Sequence, residues 1–153
     1  MGKTDIRVRP ARPSDSRDLW LWRNDPLTRA MSKQSEEVSW EGHETWLERT
    51  LADPAKALFI GEIDGQSIGM CRFDLDRDKG QCEVSINLNP TRRGQGLATG
   101  LLAAGLGACE PERHLVFVAQ IRHTNMASRK CFAKNGFMLE AETADFGRYT
   151  LSR

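Results

Sequence analysis

Apolar and polar residues follow regular periods along most of the 153-residue chain, and these periods predict its elements. Between Ile6 and Pro10, apolar residues alternate with arginines, which predicts a short strand. Ser14 then offers an N-cap to an amphipathic helix that ends near Asp25. The chain is therefore expected to open with a strand followed by a helix.

A second helix is predicted from Ser39 to Ala52, because apolar side chains recur there at three- and four-residue spacing. The apolar stripe includes His43, so we expect this histidine to face inward. Asp53 and Pro54 end the pattern, since a proline disfavours helical backbone at the residue before it.

Three strands follow, joined by turns rich in Asp and Gly, and they predict an antiparallel meander. They run from Ala57 to Ile63, from Ser67 to Leu75 and from Gln81 to Leu88. A helix from Leu97 to Cys109, a buried strand from His114 to Ile121, a helix from Asn125 to Asn135 and a hairpin from Phe137 to Arg153 complete the chain. The order is β-α-α-β-β-β-α-β-α-β-β. Without an internal repeat or a linker, residues 1–153 are expected to form a single domain.

The charge and cysteine content narrow the class of protein. With 22 Lys and Arg against 21 Asp and Glu, the formal net charge is +1. This balance of positive and negative charge argues against a broad surface that binds nucleic acid or membrane, and it favours a small-molecule partner. The four cysteines form no CxxC pair, so we expect buried, reduced thiols and no metal site. The chain shows neither an apolar signal core nor an apolar run of about 18 residues, and we expect a cytoplasmic protein.

The stretch TRRGQGLAT at 91–99 has the form of a phosphate-binding loop. Gly94 and Gly96 permit close approach of a ligand to the backbone, and the following helix start provides N–H groups and a positive dipole end. Arg92 and Arg93 are expected to add charge at the rim. The stretch is neither a Walker loop nor a GxGxxG dinucleotide loop. Taken alone, it could also be an ordinary strand-to-helix connection with solvated arginines.

Two motifs, in order, carry a resemblance to a known family. The run RGQGLA at 93–98 matches the Q/R-x-x-G-x-G/A signature of the GNAT N-acetyltransferase superfamily. The block NMASRKCFAKNGF at 125–137 resembles the later helix of the same family, N-x-x-[AS]-x-x-x-Y-x-x-x-G-F. The resemblance implies an α/β (α+β) GNAT fold. In that fold, a mixed and mostly antiparallel sheet of about seven strands is flanked by about four helices and splayed between strands four and five.

The resemblance also implies acetyl-CoA as the cofactor. Its pyrophosphate would lie on the backbone amides of Arg93, Gly94, Gln95, Gly96, Leu97, Ala98 and Thr99. Its pantetheine arm would pair with the strand edge at Ile86, Asn87 and Leu88. Asn125 and Ser128 would reach the arm from the later helix. Without the motif, Asn125 could equally be a helix N-cap and Ser128 a solvated hydroxyl.

Direct acetyl transfer to an amine needs a base, an oxyanion donor and an acid. On the strand QCEVSINL, the side chains of Glu83, Ser85 and Asn87 share one face, which suggests an acceptor pocket. Glu83 is the candidate base, with a solvated strand glutamate as the alternative, and Ser85 is the second catalytic candidate. The oxyanion would meet a backbone N–H near Leu88.

The acid differs from the family pattern. Phe132 occupies the position usually held by tyrosine, and a phenylalanine cannot donate a proton. A water, Ser128 or Cys131 could substitute, or the thiolate could leave without an acid. Tyr149, the single tyrosine, lies in the last predicted strand and is a poor candidate.

The N-terminal half resembles a subgroup of the same superfamily, the enzymes of pseudaminic acid synthesis. The residues that carry this resemblance are LWRNDP at 21–26, together with His43 and the following Trp46-Leu47. By this resemblance, Arg23 and His43 would line the acceptor site, where Asn24 and Glu83 are further candidates. Arg23 suits a diphosphate because its planar fork donates two parallel bonds. Arg23 could instead cap the first helix, and His43 could be a satisfied helix histidine.

Three functions stay open at this point. The first is an N-acetyltransferase for the 4-amino group of a nucleotide-linked amino-dideoxy sugar, acting by direct transfer in a ternary complex. The second is an N-acetyltransferase of protein N-termini, small amines or antibiotics. The third is a non-catalytic acyl-CoA-binding module, suggested by Phe132. A homodimer is a further expectation for this chain.

Overall fold

The computed structural model describes residues 5–109 and 115–152, which form one sheet and the helices packed on it. The strands are β1 Arg7–Pro10, β2 Lys56–Ile63, β3 Gln66–Asp76, β4 Gln81–Leu88, β5 Val116–Arg122, β6 Met138–Glu142 and β7 Phe146–Ser152. The helices are α1 Ser16–Asn24, α2 Pro26–Met31, α3 Trp40–Ala52, α4 Leu97–Ala108 and α5 Met126–Lys134. The predicted ends at His114 and Arg153 lie outside the described residues.

The strands form one seven-stranded sheet in the order β1-β2-β3-β4-β5-β7-β6. Neighbouring strands are antiparallel except for β4 and β5, which are parallel. These two strands pair only from Gln81–Val116 to Glu83–Val118. Beyond Glu83 they diverge, so the splayed, mostly antiparallel sheet that the sequence predicts is confirmed.

The larger core lies beneath α4. Leu102 and Leu106 of this helix are buried against β3 and β5, where Phe73 and Phe117 form an edge-to-face pair with ring centroids 6.0 Å apart. Gly105 makes the contact close, because a Cβ there would lie 2.7 Å from the Cys71 sulfur. A second, smaller core is formed by α1 and α3 against β2. The two cores together give a helix–sheet–helix arrangement.

The predicted burial of the cysteines is confirmed for three of the four. Cys71, Cys82 and Cys131 are buried, Cys109 is half-buried, and all four are free thiols. Burial raises the pKa of Cys71 above its ordinary value. In the described ranges, we find no group of three or more His, Cys, Asp or Glu side chains that could hold a metal. The helices described there are also too short or too polar to cross a bilayer.

Two features of the N-terminal part differ from the prediction. The first helix begins at Ser16 instead of just after Ser14, because a short 3-10 turn from Pro13 to Asp15 precedes it. The predicted end near Asp25 is right, but a further helix, α2, follows immediately. Pro26 stands at its first position, where the missing N–H is not needed, and Asp25 accepts a hydrogen bond from the Thr28 N–H as its cap.

Candidate active site

A cleft of about 670 Å³ opens where β4 and β5 diverge. The predicted cofactor residues that line it are Ile86, Asn87, Leu88, Arg93, Gly94, Ala98, Asn125 and Ser128. The predicted catalytic and acceptor residues that line it are Glu83, Ser85, Leu88, Arg23 and His43. Most of the candidate residues are therefore brought to one cavity, although they come from widely separated parts of the chain.

The loop before α4 has the backbone that a phosphate cradle needs. Gly94 and Gly96 have φ angles of +75° and +71°, in the left-handed region that favours glycine. Gly96 is the N-cap of α4, so the N–H groups of the first helical turn point out beside it. A Cβ at either glycine would meet no protein atom within 4 Å. The space over both residues is thus open to a ligand.

The remaining residues of the loop offer a ligand their backbone N–H groups more than their side chains. Leu97 is buried in the core, so only its amide is available to a ligand. Gln95, Gly96, Leu97 and Thr99 do not line the cleft described above, although they lie at or just before the start of α4. Their predicted contact with a pyrophosphate therefore concerns their backbone N–H groups, which a helix N-terminus offers to anions.

The two arginines of the loop are bound by protein partners. The Arg93 guanidinium forms an ion pair with Asp25 and donates to the Thr28 hydroxyl at 2.9 Å. Arg92 donates to the side-chain carbonyl of Gln66 at 2.6 Å. The charge of Arg93 is therefore offset by Asp25, whereas Arg92 is held by a neutral amide and keeps its positive charge. The amides and the helix dipole also attract phosphate.

The inner edge of β4 is free for a ligand over the predicted stretch 86–88. Its ladder to β5 ends at Glu83, so the main-chain groups of the following residues face the cleft. The side chain of Asn87 is already used on the acceptor side, where its carbonyl accepts from the Thr28 hydroxyl at 3.3 Å. An extended ligand could add to this edge as a further strand would.

Asn125 and Ser128 lie together at the start of α5. The Asn125 side chain accepts from the Ser128 N–H at 3.2 Å and so caps the helix. Both residues also line the cleft. The N-cap alternative is therefore real for Asn125, and a contact of either residue with a cofactor stays a prediction.

Glu83 is the last residue of β4 that pairs with β5, so it lies where the two parallel strands begin to diverge. Its carboxylate is 3.6 Å from the Lys33 ammonium, and its side chain is 45% exposed. A water-accessible carboxylate at this point can accept a proton from a ligand amine. Ser85, two residues further along the strand, pairs in register with Arg72 of β3.

Arg23 and His43 line the cleft from α1 and α3. Arg23 is half-buried, and burial lowers its pKa, with a further contribution from nearby Arg72. His43 is 1% exposed, and neither ring nitrogen makes a well-aligned hydrogen bond among the described residues. Burial lowers the pKa of His43, and this outweighs the opposite effects of the Ser16 backbone and the Glu44 carboxylate.

A family model, described as an acetyltransferase (GNAT) domain, matches residues 5–138. The chain belongs to the GNAT acetyltransferase family. It is therefore an acyltransferase of the GNAT type, as its two motifs indicate. No curated protein matches the chain significantly.

Solved structures share the fold at low sequence identity. The aminoglycoside acetyltransferase AAC(6')-Ib, in complex with coenzyme A, is 17% identical with a TM-score of 0.81, covering 97% of this chain and 95% of its own. Spermidine N-acetyltransferase from Vibrio cholerae, with CoA and spermine, is 16% identical with a TM-score of 0.87, covering 98% and 96%. RimL, an α-N-acetyltransferase of a ribosomal protein, in complex with coenzyme A, is 18% identical with a TM-score of 0.81, covering 98% and 95%.

In this GNAT domain, the position of the usual tyrosine is filled by a core residue. Phe132 is 2% exposed and packs edge-on against Phe137, with ring centroids 4.9 Å apart. Cys131 is also buried, and burial raises its pKa to about 12. The hydroxyl of Tyr149, on β7, accepts from Arg129 of α5 at 3.2 Å. Ser128 is the substitute acid, among those considered, whose side chain reaches the cleft.

The side chain of Asn24, predicted for the acceptor site, is hydrogen-bonded within the protein. Its amide donates to the Val38 carbonyl and accepts from the Val38 N–H, both at 2.8 Å. Trp20 donates to the same carbonyl at 2.8 Å. Asn24 does not line the cleft, because both ends of its side chain fix the loop between α2 and α3.

The polar residues of the cleft that the sequence did not predict include Thr28, Lys33 and Arg72. Thr28 and Lys33 lie on or just after α2, which was not predicted. Arg72 lies on β3 and its position next to Ser85 follows only from the strand register. The one available signal was the alternation of β3, which places Arg72 on the same face as Asp74 and away from buried Cys71 and Phe73.

Proposed function

We propose that this GNAT domain transfers the acetyl group of acetyl-CoA to a primary amine on a small, negatively charged acceptor. The acceptor we propose is a nucleotide-linked amino-dideoxy sugar, acetylated at its 4-amino group. The observation that carries the proposal is the charge of the cleft. Among the described residues that line it, Arg23, Lys33, Arg72 and Arg93 are cationic and Glu83 is the single carboxylate. Lys33, Arg72 and Arg93 each have a carboxylate partner, and Arg23 is the lining cation for which the described residues provide none.

The residues present fit the cofactor. Acetyl-CoA, when bound, supplies the acetyl group as a reactive thioester. The open space over Gly94 and Gly96 and the amides at the start of α4 suit its pyrophosphate. The free inner edge of β4 suits the amides of its arm. Because Arg93 is neutralised by Asp25, its side chain positions the loop and does not bind phosphate as a free cation.

The residues of this chain divide the proton and charge transfers among them. Glu83 takes a proton from the acceptor ammonium, directly or through a water, which frees the nitrogen lone pair for attack on the acetyl carbon. A backbone N–H near Leu88 donates to the acetyl oxygen, where negative charge develops. Ser128 relays to the departing thiolate the second proton that the nitrogen loses as the amide forms. It passes a proton on and keeps its own, because a thiol with a pKa of about 8.5 is a stronger acid than a serine hydroxyl.

The cationic cleft favours an anionic acceptor over a polycation. Aminoglycosides and polyamines carry several ammonium groups, and each would need a nearby carboxylate to offset its loss of water. Here Glu83 is already paired with Lys33, while Arg23 would repel such a substrate. The fold similarity to aminoglycoside and spermidine acetyltransferases, at 17% and 16% identity, does not carry their substrates over to this chain.

Thiol release from acetyl-CoA, measured with purified acceptors, tests this proposal. The acceptors are a UDP-linked 4-amino sugar, spermidine, an aminoglycoside and an N-terminal peptide, each at several concentrations. We expect turnover with the nucleotide sugar and at least about tenfold lower kcat/KM with the polycations, which corresponds to ~1.4 kcal/mol. Turnover restricted to polycations or peptides would contradict the acceptor class. Cofactor binding with no turnover on any amine would favour a non-catalytic module.

A further inference from the structure

The last turn of α2 is attached to both of the strands that diverge at the cleft. The Thr28 hydroxyl donates to the side-chain carbonyl of Asn87 on β4 at 3.3 Å. One turn later, the Ser32 carbonyl accepts hydrogen bonds from Nε and Nη2 of Arg122 on β5, at 3.2 and 3.0 Å. Ser32 is the C-cap of α2, so Arg122 binds a carbonyl at the very end of the helix. The last turn of α2 therefore bridges the gap between β4 and β5.

The two attachment points stand at matching positions on the parallel strands. Glu83 of β4 is the residue opposite Val118 of β5, where their ladder ends. Asn87 lies four residues beyond Glu83, and Arg122 lies four residues beyond Val118. Because side chains alternate along a strand, all four point to the same face of the sheet. One turn of helix rises about 5.4 Å, more than the ~4.8 Å between paired strands, so it suits a gap that is no longer closed by strand pairing.

Arg122 is held in place on the far side of this gap. Its guanidinium lies over the ring of Phe146, its cross-strand neighbour on β7, with 4.5 Å between the guanidinium carbon and the ring centroid. Among the described residues it has no carboxylate partner, and it does not line the cleft. A cation at a helix C-terminus also interacts favourably with the helix dipole. Arg122 therefore reaches the cleft only through the end of α2.

The carbonyl that Arg122 binds belongs to the peptide group that joins Ser32 to Lys33. Both of these residues line the cleft. The Lys33 ammonium lies 3.6 Å from the carboxylate of Glu83, the candidate base. Because two hydrogen bonds fix the orientation of this peptide group, they also fix the point from which the Lys33 side chain starts. The position of Lys33 beside Glu83 thus depends on a residue of another strand.

We propose that Arg122 is a positioning residue for acetyl transfer, which holds the end of α2 on β5 and so keeps Ser32 and Lys33 over Glu83, where the acceptor amine binds. A wall that is fixed before binding spares the acceptor the entropic cost of ordering it. The inference goes beyond the proposed function, because it holds for any amine that this site acetylates. Neither of the two family motifs contains Arg122.

The first test measures the position of Lys33 without any acceptor. A water-soluble carbodiimide joins the Lys33 amine to the Glu83 carboxylate as an amide, with loss of water, and mass spectrometry of peptides gives the yield. Both side chains are about half exposed and open to the reagent. We expect this cross-link in the wild type and a severalfold lower yield in Arg122→Met, which keeps an apolar stem and loses all donors. Arg148→Met is the matched control on β7, because Arg148 is paired with Glu140 at 2.7 Å, and it should keep the wild-type yield.

The second test separates positioning from stability. With the amine that the wild type acetylates fastest, Arg122→Met should raise the acceptor KM about tenfold, the usual effect of losing hydrogen bonds from a charged group. Its kcat and its acetyl-CoA KM should stay nearly unchanged, because Arg93 still holds the other end of α2 at Thr28. Arg122→Lys can donate to the same carbonyl without the planar fork, so it should restore the cross-link yield and the acceptor KM in part.

Phe146→Leu provides a milder change, measured in case Arg122→Met does not fold. It removes only the ring face beneath the guanidinium and should lower the cross-link yield in the same direction by a smaller factor. A wild-type yield in folded Arg122→Met, or equal changes in the Arg122 and Arg148 variants, would overturn the positioning role. So would a loss of stability with an unchanged acceptor KM.

The outcome for Arg122 is distinguishable from the outcome for the proposed acceptor. If an amine other than the nucleotide sugar is acetylated, the proposed function fails and the KM test is made with that amine. If no amine is acetylated, the proposed function also fails, and a wild-type cross-link yield in Arg122→Met would still overturn the role of Arg122.

Discussion

Asp25 and Arg93, 68 residues apart in the chain, form an ion pair that joins the cap of α2 to the first residue of the cofactor loop. Thr28 reinforces the junction, because its hydroxyl accepts from Arg93 while its N–H donates to Asp25. The hydroxyl of Thr28 also donates to Asn87 on β4. The acceptor-side helix, the cofactor loop and the central strand are therefore held by one small polar network.

Replacing Asp25 separates its two roles. Asn is as good an N-cap as Asp, so Asp25→Asn keeps the cap of α2 and removes the charge for Arg93, whereas Asp25→Ala removes both. We expect Asp25→Asn to lower the free energy of unfolding by about 1 kcal/mol and to weaken acetyl-CoA binding, because the loop loses its anchor. Asp25→Ala should cost about 1 kcal/mol more. Urea unfolding and cofactor titration measure both effects.

A double-mutant cycle provides the control. Once Arg93 is methionine, Asp25→Asn should have little further effect, since the partner has gone. Glu140→Gln removes one side of an exposed ion pair with Arg148, 2.7 Å apart on β6 and β7, and should change neither quantity measurably. Additive effects of the Asp25 and Arg93 substitutions would show that the pair does not couple the two elements.

The same pair predicts a dependence of stability on pH. The hydrogen bond from Arg93 holds the pKa of Asp25 below its ordinary value. Its contribution is therefore fully present above the unfolded-state pKa of about 3.9 and is lost as the pH falls through the lower folded-state value. Unfolding free energies measured from pH 6 to pH 3 should fall less steeply for Asp25→Asn than for the wild type. Parallel curves would contradict this.

Gly96→Val should weaken cofactor binding without changing acceptor binding. The substitution places a branched side chain at a φ of +71° and fills the open space above the loop. Gly80→Val is the matched control, because Gly80 has a φ of +62°, also has open space around it, and lies in the β3–β4 turn. Both variants should lose similar stability, and only the Gly96 variant should lose acetyl-CoA affinity. Normal acetyl-CoA affinity of the Gly96→Val variant would show that this loop does not bind the cofactor pyrophosphate.

His43→Phe should separate stability from substrate binding. The phenyl ring can keep the contacts with Trp40 and Trp46 and leaves no buried nitrogen without a partner, so stability at pH 7 should be unchanged or higher. Because burial lowers the pKa of His43, the wild type should lose stability as the pH falls below the unfolded value of about 6.5, and the variant should lose less. The acceptor KM should rise about tenfold with unchanged cofactor affinity. A destabilised variant with a normal acceptor KM would assign His43 to the core alone.

Ser128→Ala and Cys131→Ala distinguish the two side chains considered for the acid. Ser128 lines the cleft and Cys131 is buried in the core, so the serine variant should lower kcat severalfold at nearly unchanged stability. The cysteine variant should lower stability by about 1 kcal/mol with nearly normal kcat, because it leaves a small cavity. Steady-state kinetics beside thermal unfolding measure the pair. The reverse pattern would move the acid to Cys131.

Periodicity was enough to predict the sheet, because alternation in β2 to β4 and the apolar run of β5 are long and unambiguous. It was not enough for α2, since six residues form less than two full turns and Pro26 was interpreted only as a helix end. The contacts of the Asn24 side chain also could not be predicted from periodicity. Its position in a motif suggested substrate binding, but its partner, Val38, belongs to a loop whose path the sequence does not reveal.

The site residues that belong to a local motif could be predicted from the sequence. Those that are placed by contacts between distant elements could not. The glycines of the loop and the cap at Asn125 follow from short-range backbone geometry. The pairing of Arg93 with Asp25 and the approach of Arg72 to Arg23 depend on packing between distant elements. Charged residues in strands and loops are most often solvated, so nothing in the sequence distinguishes these from ordinary surface arginines.

The most direct test of the central claim is a competition experiment. The enzyme is given limiting acetyl-CoA with equal concentrations of a UDP-linked 4-amino sugar and spermidine, and the products are identified by mass spectrometry. The cationic cleft predicts that most of the acetyl groups appear on the nucleotide sugar, at its 4-amino group. Acetylated spermidine as the main product would contradict the account.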